Sequence, residues 1–137
     1  MNRINKIIAL LTAIYSFAKD IHYNCKGDSF YSKHIFCDRI SENIYDYIDG
    51  IKEVCFLPSG DEPLSSKEYL SMAIQEIPDI TSEDKRNFEL LLELISKTLQ
   101  EIQQLEELTK GEENLFGNIA ENLQISLGLL FREVSNG

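Results

Sequence analysis

Chain breakers are scarce in this sequence: its 137 residues include seven Gly and three Pro. With Ile and Leu recurring at helical spacing, that scarcity favours an all-helical protein. Long apolar runs are scarce as well. The best of them, Ile7 to Ala18, is too short to cross a bilayer and stops at Lys19-Asp20, so no transmembrane helix is expected. Cysteine is limited to Cys25, Cys37 and Cys55, an odd count with no C-x-x-C spacing. The pattern excludes a disulfide framework and a zinc knuckle, and fits reduced, partly buried thiols in a cytoplasmic protein. Basic residues are outnumbered, 13 Lys and Arg against 23 Asp and Glu, for a net charge of −10. Such a chain repels the phosphate backbone, and neither Met1 to Lys6 nor Arg132 to Gly137 forms a Lys-rich tail, so DNA binding is not expected.

The length, with 43% hydrophobic residues, suits one core and is too short for two, so residues 1–137 are read as a single domain. Ile4, Ile7/Ile8, Leu11, Ile14/Tyr15, Ala18 and Ile21/His22 share one stripe, which predicts a first long helix over Asn2 to Tyr23. The same segment imitates a secretory signal, with Ser16-Phe17-Ala18 as a passable cleavage site. Cleavage there would remove the first helix, expose the rest of the core and leave His22 four residues from a new terminus, so the helical reading is preferred. Cys25 to Asp28, with Gly27, predicts a turn. A second long helix is expected from Asp28 to Leu57, ended by the breakers between Pro58 and Pro63. Ser65 to Gln75 suits a short helix in a long crossover. Thr81-Ser-Glu-Asp84 offers an N-cap for a third long helix, Ser82 to Thr109, along the stripe Phe88, Leu91/Leu92, Ile95, Leu99, Ile102 and Leu105. Lys110-Gly111 is read as its close, and Leu115/Phe116, Ile119, Leu123, Leu127, Leu130/Phe131 and Val134 mark a fourth.

Five residues carry the chemistry: His22, His34, Asp38, Asp49 and Glu53. His34/Asp38 and Asp49/Glu53 are i,i+4 pairs, so each pair shares a helix face and can grip a cation. If Asp28 to Leu57 is one helix, a rise of about 1.5 Å per residue separates His34 from Asp49 by about 22 Å, too far for one metal ion. A second copy, antiparallel and crossing near Asn43 and Ile44, would set His34 and Asp38 of one chain opposite Asp49 and Glu53 of the other. Two equivalent sites per symmetric dimer follow. Taken singly, a histidine or an acidic residue in so acidic a chain is more simply a surface or satisfied residue, although imidazole with carboxylate is a ligand set that suits non-haem iron. Cys37 precedes Asp38 and Cys55 lies two beyond Glu53, positions that point away from the ligand face. A redox-sensitive thiol near the centre stays open.

The stretch His22-Tyr-Asn-Cys-Lys-Gly-Asp-Ser-Phe-Tyr-Ser-Lys-His34 resembles the His-Trp-x-x-x-Gly-x-x-Phe-x-x-x-His signature of the Dps mini-ferritins. Asp38 follows it by four residues, and Asp49-x-x-x-Glu53 sits at the family's Asp-x-x-Ala-Glu-Arg motif. Glu113-Asn114-Leu115-Phe116 is similar to the acidic Asp-Leu-Phe start of the family's last helix. Tyr23 stands where the family has Trp, Lys52 and Val54 flank Glu53 in place of Ala and Arg, and Gly128 replaces a common Trp. None of these is a ligand position.

The resemblance implies an all-α, ferritin-like four-helix bundle with a short extra helix in the long crossover. It also implies a cytoplasmic homododecamer that oxidises Fe(II) with hydrogen peroxide and stores the ferric product. Its iron centre would take His22, His34 and Asp38 from one subunit and Asp49 and Glu53 from the two-fold partner. Glu112 and Glu113 are candidates for an acidic three-fold pore, with a solvated helix N-terminus as the plainer reading. Two other functions stay open: a metal-sequestering or structural cage without efficient turnover, and a dimeric helical interaction module without metal.

Overall fold

The computed structural model describes Asn2–Ser135; Met1, Asn136 and Gly137, which belong to the two weakly basic ends, lie outside the described residues. Six α-helices and one π-helical turn make up the architecture: α1 (Asn2–Asn24), α2 (Phe30–Ser41), α3 (Ile44–Ile51), the π turn Lys52–Phe56, α4 (Ser66–Ile74), α5 (Asp84–Gln103) and α6 (Lys110–Ser135). No strand occurs among the described residues. The second long helix is thus in three parts: α2, α3 and the π turn follow one another with a two-residue interruption at Glu42-Asn43. No Gly or Pro causes that interruption. Asn43, at φ −103° and ψ 2°, leaves helical geometry and caps α3 without a side-chain bond.

The first helix lies at the centre. Ile7, Leu10, Leu11, Ala13, Ile14, Phe17, Ala18 and Ile21 are fully buried, and α1 packs against α2, α3, α4 and α5. An almost all-round apolar helix of this kind belongs inside a bundle, which accounts for its likeness to a signal segment. One hydrophobic cluster joins buried residues from all six helices and the π turn. Gly50 permits the close approach of α3 to α6, since a Cβ there would stand 3.3 Å from Leu115 Cδ1.

Ser65 caps α4 in a capping box with Glu68, as the Ser65 to Gln75 segment suggests. Tyr69 then ties the crossover down, its hydroxyl donating to Asn5 Oδ1 at 2.6 Å and accepting from the Leu64 N–H at 3.1 Å. Two boundaries differ from expectation. The third long helix starts at Asp84 and stops at Gln103 rather than Thr109, and Glu83 caps it without a side-chain bond. Lys110-Gly111 does not close that helix but begins the fourth. The reversal is made instead by Glu107 in the left-handed region, φ 56°, and by a capping box at Thr109.

Candidate metal centre

The end of α1 and the middle of α2 meet through two histidines. The His22 and His34 rings stack with centroids 3.5 Å apart and planes 19° from parallel. Each ring holds the other residue's backbone: His22 Nδ1 lies 2.6 Å from the His34 carbonyl, and His34 Nδ1 lies 2.8 Å from the His22 carbonyl. A carbonyl only accepts, so both Nδ1 atoms carry the hydrogen. In a neutral ring this leaves the lone pair on Nε2, the tautomer that binds metal, with the second nitrogen oriented by a carbonyl. His22 is buried and His34 half-buried. Tyr23 sets its ring edge-on to His22, 4.7 Å between centroids, and Phe30 stacks on His34 at 5.3 Å.

Asp38 follows one turn beyond His34. Its Oδ1 accepts from Lys19 Nζ at 2.8 Å, and this bond, with the charge of Lys19, holds the carboxyl below the usual carboxylate range; His22 and His34 act in the same direction. The Lys19 ammonium is raised in return, first by its bond to Asp38. Lys19 was not among the expected site residues, although its place three residues before His22 puts it on the same side of α1.

The second pair is elsewhere. Asp49 lies in α3 and Glu53 in the π turn, both exposed. Asp49 stands close enough to Glu53 that the interaction of the two carboxyl groups and Asp49's negative charge raise Glu53 above the usual range. Two carboxylates this close repel one another, a repulsion that a bound cation would relieve. Within one chain, no three His, Cys, Asp or Glu among the described residues converge to hold a metal ion. His22, His34 and Asp38 form one neighbourhood, and Asp49 with Glu53 forms a separate exposed pair.

The cysteines are fully rather than partly buried. Cys25 Sγ donates weakly to the His22 and Phe30 carbonyls, at 3.7 and 3.8 Å. Burial pushes the Cys37 thiol up to about 12, and burial with the neighbouring Glu112 carboxylate pushes Cys55 up to about 12. Protonated thiols of this kind are poor ligands and poor nucleophiles. Glu112 has a structural task of its own. Its carboxylate accepts from the Thr109 N–H at 2.8 Å while its N–H donates to Thr109 Oγ1 at 3.2 Å. Glu113, beside it in the first turn of α6, is exposed.

No family model and no curated protein matches the sequence. Solved structures do. Dps from Thermosynechococcus elongatus matches with a TM-score of 0.87 at 17% identity, over 98% of this chain and 89% of that one. An archaeal Dps homologue from Halobacterium salinarum gives 0.85 at 14%, over 99% and 79%. The Dps protein of Vibrio cholerae, described as a member of a broad superfamily of ferritin-like diiron-carboxylate proteins, gives 0.67 at 20%, over 98% and 87%. At these identities the likeness speaks to the fold, along almost the whole chain.

Proposed function

We propose that this chain, which has the ferritin-like fold of the Dps proteins, is a ferroxidase and iron-storage mini-ferritin acting as a homododecamer of a single 137-residue domain. The observation that carries the reading is the histidine pair: two Nδ1–H groups held by carbonyls, two Nε2 atoms left for metal, and Asp38 beside them. Asp49 and Glu53, exposed on another element, complete the ligand set from the two-fold partner. Each centre then has two imidazoles and three carboxylates, with room for an oxidant.

The reaction is a two-electron reduction of hydrogen peroxide. Two Fe(II) ions each lose one electron, the O–O bond breaks, and with two protons the peroxide leaves as two waters. His22 and His34 anchor the cation, Asp38 and Asp49 neutralise its charge, and Glu53 bridges the two ions. Ferric product collects in the cage and iron-driven oxidative damage falls. The acidic shell does not bind DNA. Glu113 is the stronger pore candidate, because Glu112 is committed to the Thr109 cap. No described helix is long and apolar enough to cross a membrane; we place the protein in the cytoplasm, where its three thiols stay reduced.

One observation favours the second reading, a metal-sequestering or structural cage without efficient turnover: Asp38 is already occupied by Lys19. Absorbance growth after adding Fe(II) and peroxide to the assembled protein decides between them. Rapid ferric growth supports the ferroxidase; binding without growth supports sequestration. Light scattering that reports only a dimer would remove both cages.

A further inference from the structure

The half of α2 that carries His34 is held by little apolar burial, Phe36 being its one side chain packed against the core. From Phe30 to Phe36 no side chain is fully buried; the first is Cys37. Ser29 caps the helix without a side-chain bond, and the preceding turn passes through Gly27 at φ 91°. Apolar burial therefore does little to fix the N-terminal turn of this segment, residues 30–35. Polar bonds do most of it: the two imidazole–carbonyl bonds join His22 and His34 directly, and a carboxylate from another helix ties down the turn and Lys33 beside them. Asp84 Oδ2, in the first turn of α5, accepts from the Lys26 N–H at 3.1 Å and from Lys33 Nζ at 2.9 Å, and Lys33 Nζ also donates to the Lys26 carbonyl at 3.3 Å.

We propose that Asp84 is a positioning residue for the metal centre: it clamps the α1–α2 turn and the start of α2, and so sets His34 against His22. The inference rests on the functional reading above. Asp84 touches neither histidine and α5 supplies no ligand, so its action is indirect. Lys33 immediately precedes His34, and anchoring it fixes the rotation of α2 about its axis and the direction of the next side chain. The pair suits this task because it is shielded. The side chains of Lys33 and Asp84 are 20% and 13% exposed, whereas every other ion pair among the described residues has a partner above 40%. Shielded pairs are screened least by salt and water.

The test uses assembled protein bearing Asp84→Ala, Asp84→Glu or Lys33→Gln. Hydrogen–deuterium exchange by mass spectrometry is read without metal, and Zn(II), a redox-inert divalent ion, is titrated calorimetrically. Asp84→Ala is expected to speed exchange across Lys26–Phe36, leave peptides of α6 unchanged, and weaken Zn(II) binding by about tenfold, the usual cost of losing a residue that orients a ligand. In the iron assay, the Fe(II) concentration for half-maximal rate should rise while kcat holds, since every ligand remains. Asp84→Glu should recover part of both effects. Lys33→Gln approaches the clamp from the other side and decides the matter if Asp84→Ala does not assemble. Unchanged exchange at Lys26–Phe36 in either variant would overturn the proposal, as would faster exchange with unaltered Zn(II) affinity. Wild-type protein that neither binds Zn(II) nor oxidises Fe(II) would sink the iron reading instead, leaving exchange alone to judge the clamp.

Discussion

Lys19 and Asp38 are joined across α1 and α2, Nζ to Oδ1 at 2.8 Å. A cation arriving at Asp38 must displace an ammonium that is already there. Lys19 has somewhere to go, since its Nζ also stands 5.8 Å from the centroid of the Tyr15 ring. Lys19→Met keeps most of the side chain and removes the competitor. Zn(II) affinity of the assembled protein should then rise, by about threefold or more for a half-exposed pair. An unchanged titration would show that Asp38 does not meet the metal.

The two candidate ligand groups of one chain do not meet, so a dimer that shares its sites should be able to mend itself. Mixed cages assembled from His34→Ala and Asp49→Ala parents contain dimers of unlike subunits. In such a dimer one site inherits both defects and the other inherits neither. Oxidation should therefore reappear on mixing, at a level set by the fraction of unlike dimers. Mixed assemblies as inactive as their parents would mean that the site is not shared.

Parts of this arrangement are legible in the sequence for definite reasons. The α1 stripe is buried as its 3.6-residue period requires, and Ser65-x-x-Glu68 states its own cap. Other parts depend on tertiary structure. Nothing local marks the interruption at Glu42-Asn43, and the π turn has no composition that sets it apart. Thr109-Lys-Gly-Glu112 carries two signals at once, a Lys-Gly stop and a Thr-x-x-Glu start, and the start prevails because Glu107 has already reversed the chain. At the candidate site spacing suggests the two i,i+4 pairs and resemblance adds His22, and Lys19 could have been found from its i,i+3 relation to His22. The clamp could not: Lys33 and Asp84 are 51 residues apart, and only the packing of α5 beside the α1–α2 turn brings them together.

The backbone of Glu107 should reveal its strain on substitution. At φ 56° a residue with a Cβ is disfavoured, whereas Gly is at ease there. Glu107→Gly should stabilise the fold by ~1 kcal/mol, less what Gly's freedom in the unfolded chain takes back, and raise the thermal midpoint by a few degrees. Scanning calorimetry at neutral pH measures it. A lower midpoint would mean that the Glu107 side chain does more for the turn than its backbone costs.

Acid should release the Asp84 clamp. Partial burial alone would raise this carboxyl, but its bonds to Lys33 and to the Lys26 N–H outweigh burial and hold it below the ordinary carboxylate range. A group whose folded value lies below its unfolded one stabilises the fold above the unfolded value, and that contribution is lost as pH falls through the folded one. The difference in thermal midpoint between wild type and Asp84→Asn should thus stay constant from neutral pH down to about 5 and close below about 4. A gap that persists in stronger acid would assign it to the shape of the hydrogen bonds and not to charge.

Glu53 should be the ligand on which turnover depends most. It sits in the π turn with its carboxyl close to that of Asp49, and as a carboxylate it can bridge two iron ions so that peroxide takes one electron from each. A histidine supplies one nitrogen to one ion. Glu53→Gln preserves volume and can hydrogen-bond Asp49, yet it removes the negative charge that a bridge requires. Because the residue is exposed, the bundle has no need of it. Light scattering should therefore report an intact cage while stopped-flow absorbance after Fe(II) and peroxide shows oxidation slowed by about a hundredfold, the scale expected when a group acting directly on the transition state is lost. Wild-type rates in an intact Glu53→Gln cage would remove the bridging role and leave the sequestering cage as the better account.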